Sequence, residues 1–330
     1  MYHLQELSLR IREMVLLAVA SGATGCSGSV DAPQGGPQAA AASYLEYVVA
    51  TMRANSVHRL RIDWTEFTKT VNAAANQATS ISDTYPAIRV AIGLLGDGHT
   101  FYRTITGVTL AVPTRSCAAP APIRPTVPAN IGYVRIEGYS GNMPAEFAQR
   151  IQDSIRTHDR VGLAGWIVDL RGNTGGNMWP MVAGVGPVLG EATLGYFIGP
   201  TGGETMWEYR DGASRLNGTP VQSLLATYRV IRENPRVAVL TDNGTASSGE
   251  AVAISFRKRP DTRTFGGGTC GLSTANQGYA MPDGAVLQLT TALMADRTKA
   301  SYGDVVPPDE VITDQGQLAQ RAVAWILTGQ

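Results

Sequence analysis

The sequence predicts an α/β fold preceded by a small helical domain. In residues 43–95, apolar side chains recur at helical spacing. From residue 131 onward, short apolar runs typical of strands alternate with helix-like segments. Five prolines separate these two regions, all of them between residues 107 and 130. The 330-residue chain is 44% hydrophobic, which is enough for one large core or two modest domains.

The first 26 residues have the pattern of an export signal. Arg10 and Arg12 precede an apolar run over residues 14–20 that is too short to span a bilayer. Small residues then lead to Cys26 in a sequence that resembles a bacterial lipobox, so we expect a lipid anchor on this cysteine. The alternatives are an ordinary cleaved signal and a buried helix. We therefore predict an exported protein of the periplasm or cell envelope that touches the membrane only through this anchor.

The remaining chain divides into four segments. Residues 27–42 are rich in small residues and predict a flexible linker. Residues 43–106 predict the N-terminal helical domain, residues 107–130 a Pro-rich connector, and residues 131–330 the α/β core. In the core we predict strands at 131–136, 166–170 and 236–241, helices at 144–157, 178–189, 249–258 and 315–327, and a hairpin turn at 282–284.

Composition argues against several classes of function. Lys plus Arg and Asp plus Glu both number 27, so the chain lacks the positive charge of a nucleic-acid-binding protein. The chain has four histidines and no clustered cysteines, so we predict neither a metal site nor another cofactor. Cys117 and Cys270 lie in loop-like segments, and their spacing leaves a disulfide and two free thiols equally open. The oligomeric state is not indicated by the sequence.

A serine-rich segment lies where a predicted strand passes into a predicted helix. Residues 241–250 include Ser247 and Ser248 and end at Glu250. A serine at such a corner has its hydroxyl at the edge of a sheet, beside the N–H groups of a helix N-terminus. This place combines a nucleophile with donors for an oxyanion. The alternative is an ordinary helix N-cap with Glu250 in the first turn.

Two further segments carry groups that acyl transfer requires. Residues 169–177 predict a strand that ends in a glycine turn, where backbone N–H groups can approach an anionic oxygen. The glycine spacing does not match the nucleotide-binding motifs. His99 lies in a glycine-flanked loop after a predicted helix. A serine, a histidine and a donor turn at the ends of elements indicate nucleophilic catalysis, although a lone histidine is more often structural. The chain has no Gly-x-Ser-x-Gly elbow, which disfavours a lipase-type hydrolase.

Taken in order, five segments resemble the tail-specific, or C-terminal-processing, serine peptidases. The resemblance extends over residues 43–314. The segments are 96–100 (Gly-Asp-Gly-His-Thr), 131–135 (Ile-Gly-Tyr-Val-Arg), 169–176 (Asp-Leu-Arg-Gly-Asn-Thr-Gly-Gly), 245–250 (Thr-Ala-Ser-Ser-Gly-Glu) and 265–271 (Phe-Gly-Gly-Gly-Thr-Cys-Gly).

The resemblance implies a peptidase core of the ClpP/crotonase-like type. By the family's motif, Ser247 is the nucleophile because it follows Thr-Ala. The resemblance also implies an oxyanion hole built from the backbone N–H of Ser248 and one N–H from Gly175 or Gly176.

The chain departs from the processing-peptidase branch in its general base. That branch has a lysine in a Gly-Lys-Gly segment after the nucleophile, whereas residues 266–271 contain no lysine. The branch that resembles tricorn protease has a histidine in the Asp-Gly-His-Thr motif, so His99 is the expected base. About thirty residues separate His99 from residue 131, too few for a PDZ module. We therefore expect no capture of substrate by a PDZ groove.

A histidine base needs a partner that fixes its orientation. In the tricorn-type branch a serine precedes the histidine and a downstream glutamate completes a tetrad, whereas here Gly98 precedes it. The downstream segment offers Asp304 as the expected partner, and Asp97 is a local alternative. Each of these carboxylates could also be an ordinary loop residue. Glu250 could cap its helix or support the serine, and capping is the expected role.

We therefore predict a serine peptidase that hydrolyses a peptide or protein substrate, with Ser247 as nucleophile and His99 as general base. The alternative is a non-catalytic lipid- or polypeptide-binding protein on the same core, with an apolar cleft lined by Trp166 and Trp179. A weaker third hypothesis is a cell-envelope interaction protein in which the serine corner is only a helix cap.

Overall fold

A computed structural model describes residues 37–330. In this part of the chain the α-helices are α1 (Pro37–Asn55), α2 (Trp64–Ala74), α3 (Tyr85–Leu95), α4 (Pro144–His158), α5 (Met178–Leu189), α6 (Ser248–Phe256) and α7 (Gln315–Thr328). The strands are β1 (Phe101–Arg103), β2 (Thr109–Ala111), β3 (Ile131–Arg135), β4 (Gly165–Asp169), β5 (Ala192–Ile198), β6 (Glu204–Arg210), β7 (Ala213–Leu216), β8 (Thr219–Ser223), β9 (Arg236–Thr241), β10 (Thr262–Gly266), β11 (Thr274–Ala280), β12 (Val286–Asp296) and β13 (Glu310–Val311).

A five-stranded sheet carries the serine corner. Its strand order is β13-β10-β9-β4-β3, and each neighbouring pair is parallel. One face of the sheet packs against α4, α5 and α6, and the other packs against α7. The central strands β4 and β9 are apolar and almost entirely buried, as expected for parallel strands covered on both faces.

A second, antiparallel sheet lies beside it. The strand order is β2-β1-β12-β5-β6-β7-β8, and β11 also pairs with β12. Strand β12 is long enough to pair with β1 through residues 286–288 and with β5 through residues 293–296. The predicted turn at 282–284 joins β11 to β12 as a hairpin. Strand β12 therefore connects the N-terminal strands to the β5–β8 meander.

The N-terminal helices pack onto the second sheet. Val48, Met52 and Ile88 from α1 and α3 are fully buried in one cluster with Leu287 and Leu289 of β12. Burial of such side chains contributes about 1.5–3 kcal/mol each. The helical region therefore shares its apolar core with a strand from the other end of the chain.

The predicted α/β class with an N-terminal helical region is confirmed, with one correction at its start. Helix α1 begins at Pro37, so residues 37–42 of the predicted flexible linker are helical. A proline in the first turn and four alanines at 39–42 favour a helix, which outweighs the linker-like composition. The export signal and Cys26 lie outside the described residues. Among residues 37–330, no helix combines the length and the apolar character needed to cross a membrane.

Candidate functional site

The glycine turn and the serine corner meet at one edge of the parallel sheet. They follow β4 and β9, which are neighbours, and the carboxyl ends of parallel strands lie at the same edge. The backbone N–H of Ala246 donates to the carbonyl of Asn173 at 2.9 Å. The Thr245 hydroxyl donates to the carbonyl of Leu170 at 2.8 Å. These bonds join the two loops into one rigid unit.

Ser247 has an unusual backbone conformation at this edge. It immediately precedes α6 and has φ 52° and ψ −117°. A positive φ in a residue with a Cβ is uncommon and costs on the order of 1–3 kcal/mol, so the surrounding contacts must hold it. Its backbone N–H donates to a carboxylate oxygen of Glu250 at 2.8 Å. Ser247 thus stands at the N-cap position of a helix in a constrained turn.

Glu250 is fully buried and accepts three further hydrogen bonds. The donors are the Thr269 hydroxyl at 2.5 Å, the Gly271 N–H at 2.9 Å and the Leu272 N–H at 2.8 Å. Burial raises the pKa of the Glu250 carboxyl above its usual value, while these bonds act in the opposite direction. Glu250 therefore caps the helix and also ties Ser247 to the segment 269–272.

Two backbone N–H groups beside Ser247 are available to a ligand. The Gly175 N–H is occupied, because it donates to the Asn173 side chain at 3.0 Å. Within residues 37–330, the N–H groups of Gly176 and Ser248 donate to no protein acceptor. The Ser248 hydroxyl donates to the Gly176 carbonyl at 2.6 Å and so holds these two donors together.

Gly175 lies directly against the serine corner. A Cβ added to Gly175 would lie 2.9 Å from the Ser247 Cβ and 3.0 Å from the Ser248 nitrogen. Its φ of 94° is also one that residues with a side chain rarely adopt. This position therefore needs glycine for two independent reasons.

His99 is held by its own loop and by β11. Its backbone N–H donates to Asp97 at 2.8 Å, and its ring Nδ1 lies 2.7 Å from the Thr274 hydroxyl oxygen. Burial lowers the pKa of His99 to about 4, although the Asp97 carboxylate acts to raise it. The imidazole is therefore neutral at pH 7, which is the state that can accept a proton.

The expected partner of His99, Asp304, is placed elsewhere. Its carboxylate is 72% exposed and pairs with Arg115 at 2.6 Å, which holds its pKa below the usual value. Asp97 binds the backbone of His99 but makes no hydrogen bond to the ring among the described residues. The ring's partner is Thr274, which lies 175 residues away in the sequence. Neither spacing nor motif indicates such a contact.

Cys117 and Cys270 form a disulfide, which decides the question that their spacing left open. The bond joins the segment after β2 to the loop between β10 and β11. The Cys270 N–H also donates to the Thr245 carbonyl at 2.8 Å. The loop that contacts Glu250 is therefore cross-linked to the connector.

Four of the residues predicted for the catalytic site line one cleft of about 1170 Å³, whereas Asp304 and Gly175 do not line it. Ser247, Ser248, Gly176, His99 and Thr274 all line it. Apolar walls come from Phe101, Met178, Trp179, Phe197, Leu272 and Met294. Of the two tryptophans expected in an apolar cleft, only Trp179 lines it, because Trp166 is 1% exposed and packs inside the core. A serine hydroxyl, a neutral imidazole and free N–H donors in one cleft are the parts needed for acyl transfer.

Comparison with known proteins finds relatives in sequence and in fold. The nisin-resistance protein of Lactococcus lactis subsp. lactis is 28% identical over 266 residues, which is 80% of each chain. The structure of a lipoprotein from Streptococcus agalactiae has a TM-score of 0.69 at 19% identity and covers 92% of this chain and 100% of its own. The photosystem II D1 C-terminal processing protease has a TM-score of 0.54 at 16% identity and covers 87% and 98%.

The two structural likenesses show a shared fold, since their sequence identities are low. Membership of a family comes from the sequence. The model of peptidase family S41 matches residues 130–312, which is more than half of the chain and includes the glycine turn and the serine corner. The chain therefore belongs to peptidase family S41.

Proposed function

We propose that the chain is an active serine peptidase with Ser247 as nucleophile and His99 as general base. The observation that carries this proposal is the common cleft of Ser247, His99 and the two free N–H donors. The Ser247 hydroxyl attacks the carbonyl carbon of a peptide bond, and its proton passes to Nε2 of His99. The N–H groups of Gly176 and Ser248 stabilise the resulting oxyanion.

The second half of the reaction uses the same groups. The protonated His99 returns its proton to the leaving amine as the peptide bond breaks, which leaves an acyl ester on Ser247. Water, deprotonated by His99, then attacks this ester and releases the new carboxyl terminus. With His99 as the base, the chain would belong to the histidine-containing branch of the family. In the described structure, β2 is the only regular element between β1 and β3, which supports a chain without a PDZ module.

Labelling with a fluorophosphonate probe tests the proposal. We expect the wild-type protein to be labelled and Ser247→Ala to lose labelling and peptide hydrolysis completely. His99→Ala should lose at least about a hundredfold in labelling rate, as expected for loss of a general base. Ser248→Ala should still be labelled, because it keeps its backbone donor. Equal labelling of the wild-type protein and Ser247→Ala would overturn the assignment.

The alternative function is non-catalytic binding of a polypeptide or lipid. The large cleft with apolar walls, including Trp179, favours it. This function predicts that the folded wild-type protein is not labelled at all, while a peptide or lipid quenches tryptophan fluorescence. The same experiment therefore distinguishes the two functions.

The name of the Lactococcus relative directs the choice of a first substrate. We propose to incubate the protein with nisin and to analyse the products by mass spectrometry, with Ser247→Ala as control. Shortened nisin in the wild-type sample alone would make nisin a substrate. Intact nisin together with cleavage of other peptides would show that the protein is a peptidase for which nisin is not a substrate.

We also propose that the mature protein is exported and carries a lipid on Cys26. The S. agalactiae structure with the same fold is a lipoprotein, which supports the anchor predicted from the N-terminal sequence. In cells grown with a labelled fatty acid, the wild-type protein should incorporate label and Cys26→Ser should not. Equal incorporation in both would exclude Cys26 as the anchor.

A further inference from the structure

We propose that the Thr274 hydroxyl, in place of a carboxylate, positions the ring of His99 for proton transfer from Ser247. The inference rests on the proposed function, in which His99 is the general base. Thr274 is a positioning residue in this scheme, since it acts on the substrate only through His99.

The first support is the contact itself. Thr274 Oγ1 lies 2.7 Å from Nδ1 of His99, and the threonine is 5% exposed. A β-branched side chain in a strand has few accessible rotamers, so the hydroxyl stays at a defined place. When Nδ1–H donates to this hydroxyl, the lone pair of His99 lies on Nε2, where the nucleophile's proton is accepted.

The second support is that β11 holds the backbone of His99 as well. The Asn276 side-chain amide donates to the His99 carbonyl at 2.9 Å, and its oxygen accepts from the Thr290 hydroxyl at 2.9 Å. Asp97 holds the His99 N–H from the other side. With the backbone fixed on both sides, the bond to Thr274 is the one hydrogen bond among residues 37–330 that sets the ring's rotation.

The third support is electrostatic. Asp97 is the charged group that acts on His99 from its own loop. Strand β11 presents Thr274, Ala275 and Asn276, all neutral, and β12 presents neutral residues to the cleft. The Glu250 carboxylate accepts its four hydrogen bonds from Ser247, Thr269, Gly271 and Leu272. Glu204, which lines the cleft, pairs with Lys299 at 2.7 Å. A hydroxyl at Nδ1 therefore fixes the ring without adding a negative charge that favours the imidazolium.

Kinetics of Thr274 variants test this role. Thr274→Val keeps the shape and removes the hydroxyl, and we expect kcat to fall about 10- to 100-fold with KM changed less than about threefold. Thr274→Ser keeps the hydroxyl and should remain within about threefold of wild type. The control is Thr84→Val, which removes a buried hydroxyl that donates to the Ile81 carbonyl at 2.6 Å, remote from the cleft. It should retain wild-type kinetics.

The pH profile gives a readout that a merely structural role would not move. Thr274→Asp places a carboxylate at Nδ1, which favours the charged imidazole and raises its pKa by about one unit or more. The acidic limb of kcat/KM should shift to higher pH by this amount. In the wild-type protein, ¹⁵N NMR should show His99 protonated at Nδ1 and free at Nε2.

The outcomes separate this inference from the proposed function. If Ser247→Ala and His99→Ala are inactive while Thr274→Val matches wild type, the inference fails and the peptidase function stands. An Nε2-protonated His99 in the NMR spectrum, or an acidic limb that does not move in Thr274→Asp, also overturns it. If Ser247→Ala stays active, both fail. Should Thr274→Val not fold, the wild-type NMR experiment and the Thr274→Asp profile decide the question alone.

Discussion

The carboxylate of Glu250 binds the backbone N–H of Ser247 at 2.8 Å, three residues before it in the chain. The same carboxylate binds the Gly271 and Leu272 N–H groups, and Thr274 follows two residues later. Ser247, the proposed nucleophile, and the segment leading to Thr274 are thus attached to one buried side chain. Glu250 determines how these two parts of the site lie relative to each other.

Loss of Glu250 should therefore impair both stability and chemistry. Glu250→Ala removes the acceptor of three N–H groups and one hydroxyl, all of them buried or partly buried, so we expect the free energy of unfolding to fall by about 3 kcal/mol or more. Under conditions where the variant is still folded, the fluorophosphonate labelling rate should fall by at least about tenfold, because Ser247 loses the bond that holds its positive φ. Urea unfolding and labelling kinetics measure the two effects. Glu146→Ala, at an exposed position in α4, should change neither.

The pH dependence of the reaction should reflect the buried state of His99. Because burial lowers its pKa to about 4, His99 remains neutral and able to accept a proton throughout pH 5–7. We expect the labelling rate to stay constant over this range and to fall only as the pH approaches 4. A rate that halves near pH 6.5, the value of an ordinary histidine, would contradict the buried environment of the ring.

The lowered pKa of His99 should also make the free energy of unfolding depend on pH. Between pH 6.5 and 4 the unfolded chain binds a proton at His99 and the folded chain does not. The free energy of unfolding should therefore fall as the pH is lowered through this window. His99→Gln removes the titrating group, so its unfolding free energy should depend less on pH there. Denaturant titrations of both proteins at pH 7 and pH 4.5 measure the difference, and parallel changes in the two would argue against it.

Replacement of Gly175 should disrupt the site locally. In Gly175→Ala the new methyl group would lie 2.9 Å from the Ser247 Cβ, so the corner must move in addition to the cost of a positive φ. We expect near-complete loss of labelling. Gly162→Ala is the matched control, since Gly162 has a φ of 82° and no atom within 4 Å of an added Cβ. It should lose about 1 kcal/mol of stability and retain labelling. Normal labelling of Gly175→Ala would refute the close contact.

Reduction of the disulfide should lower the free energy of unfolding. Cys117 and Cys270 are 153 residues apart, so the loop-entropy model gives a stabilisation of up to about 4–5 kcal/mol. The double variant Cys117→Ser/Cys270→Ser should unfold at lower urea concentration, and reductant should shift the wild-type protein to the same midpoint. The double variant itself should not respond to reductant. A wild-type midpoint unchanged by complete reduction would show that the cross-link adds no stability.

The sequence predicted the parts of the fold that have a strong local pattern. Strands β4 and β9 were recognisable because buried parallel strands are continuous apolar runs, and α4 and α7 because their apolar residues recur at helical spacing. The β5–β8 meander was not predicted, since its residues alternate in burial only irregularly. The prediction of a flexible linker was wrong at residues 37–42, where the helix-favouring run of alanines outweighed the surrounding glycines.

The sequence likewise predicted only the part of the candidate site that lies in short motifs. Ser247, His99, Gly176 and Ser248 lie in short motifs, and the structure brings them to one cleft. Thr274 was missed and Asp304 was expected in its place, because the partner of His99 depends on how β11 crosses the loop after α3. Such long-range pairing leaves no trace in the spacing of residues along the chain.

The contacts of the His99 loop also determine when the site can form. Three residues of the hairpin β11–β12 hold this loop: the side chains of Thr274 and Asn276 bond to His99, and the backbone N–H of Thr290 donates to the Thr100 hydroxyl. A ribosome must therefore add most of the polypeptide before His99 can be fixed in the cleft that Ser247 also lines. A nascent or truncated chain that stops before residue 274 contains both residues and lacks the hairpin that holds the His99 loop. The completed hairpin β11–β12 is thus a requirement for assembly of the site during biosynthesis.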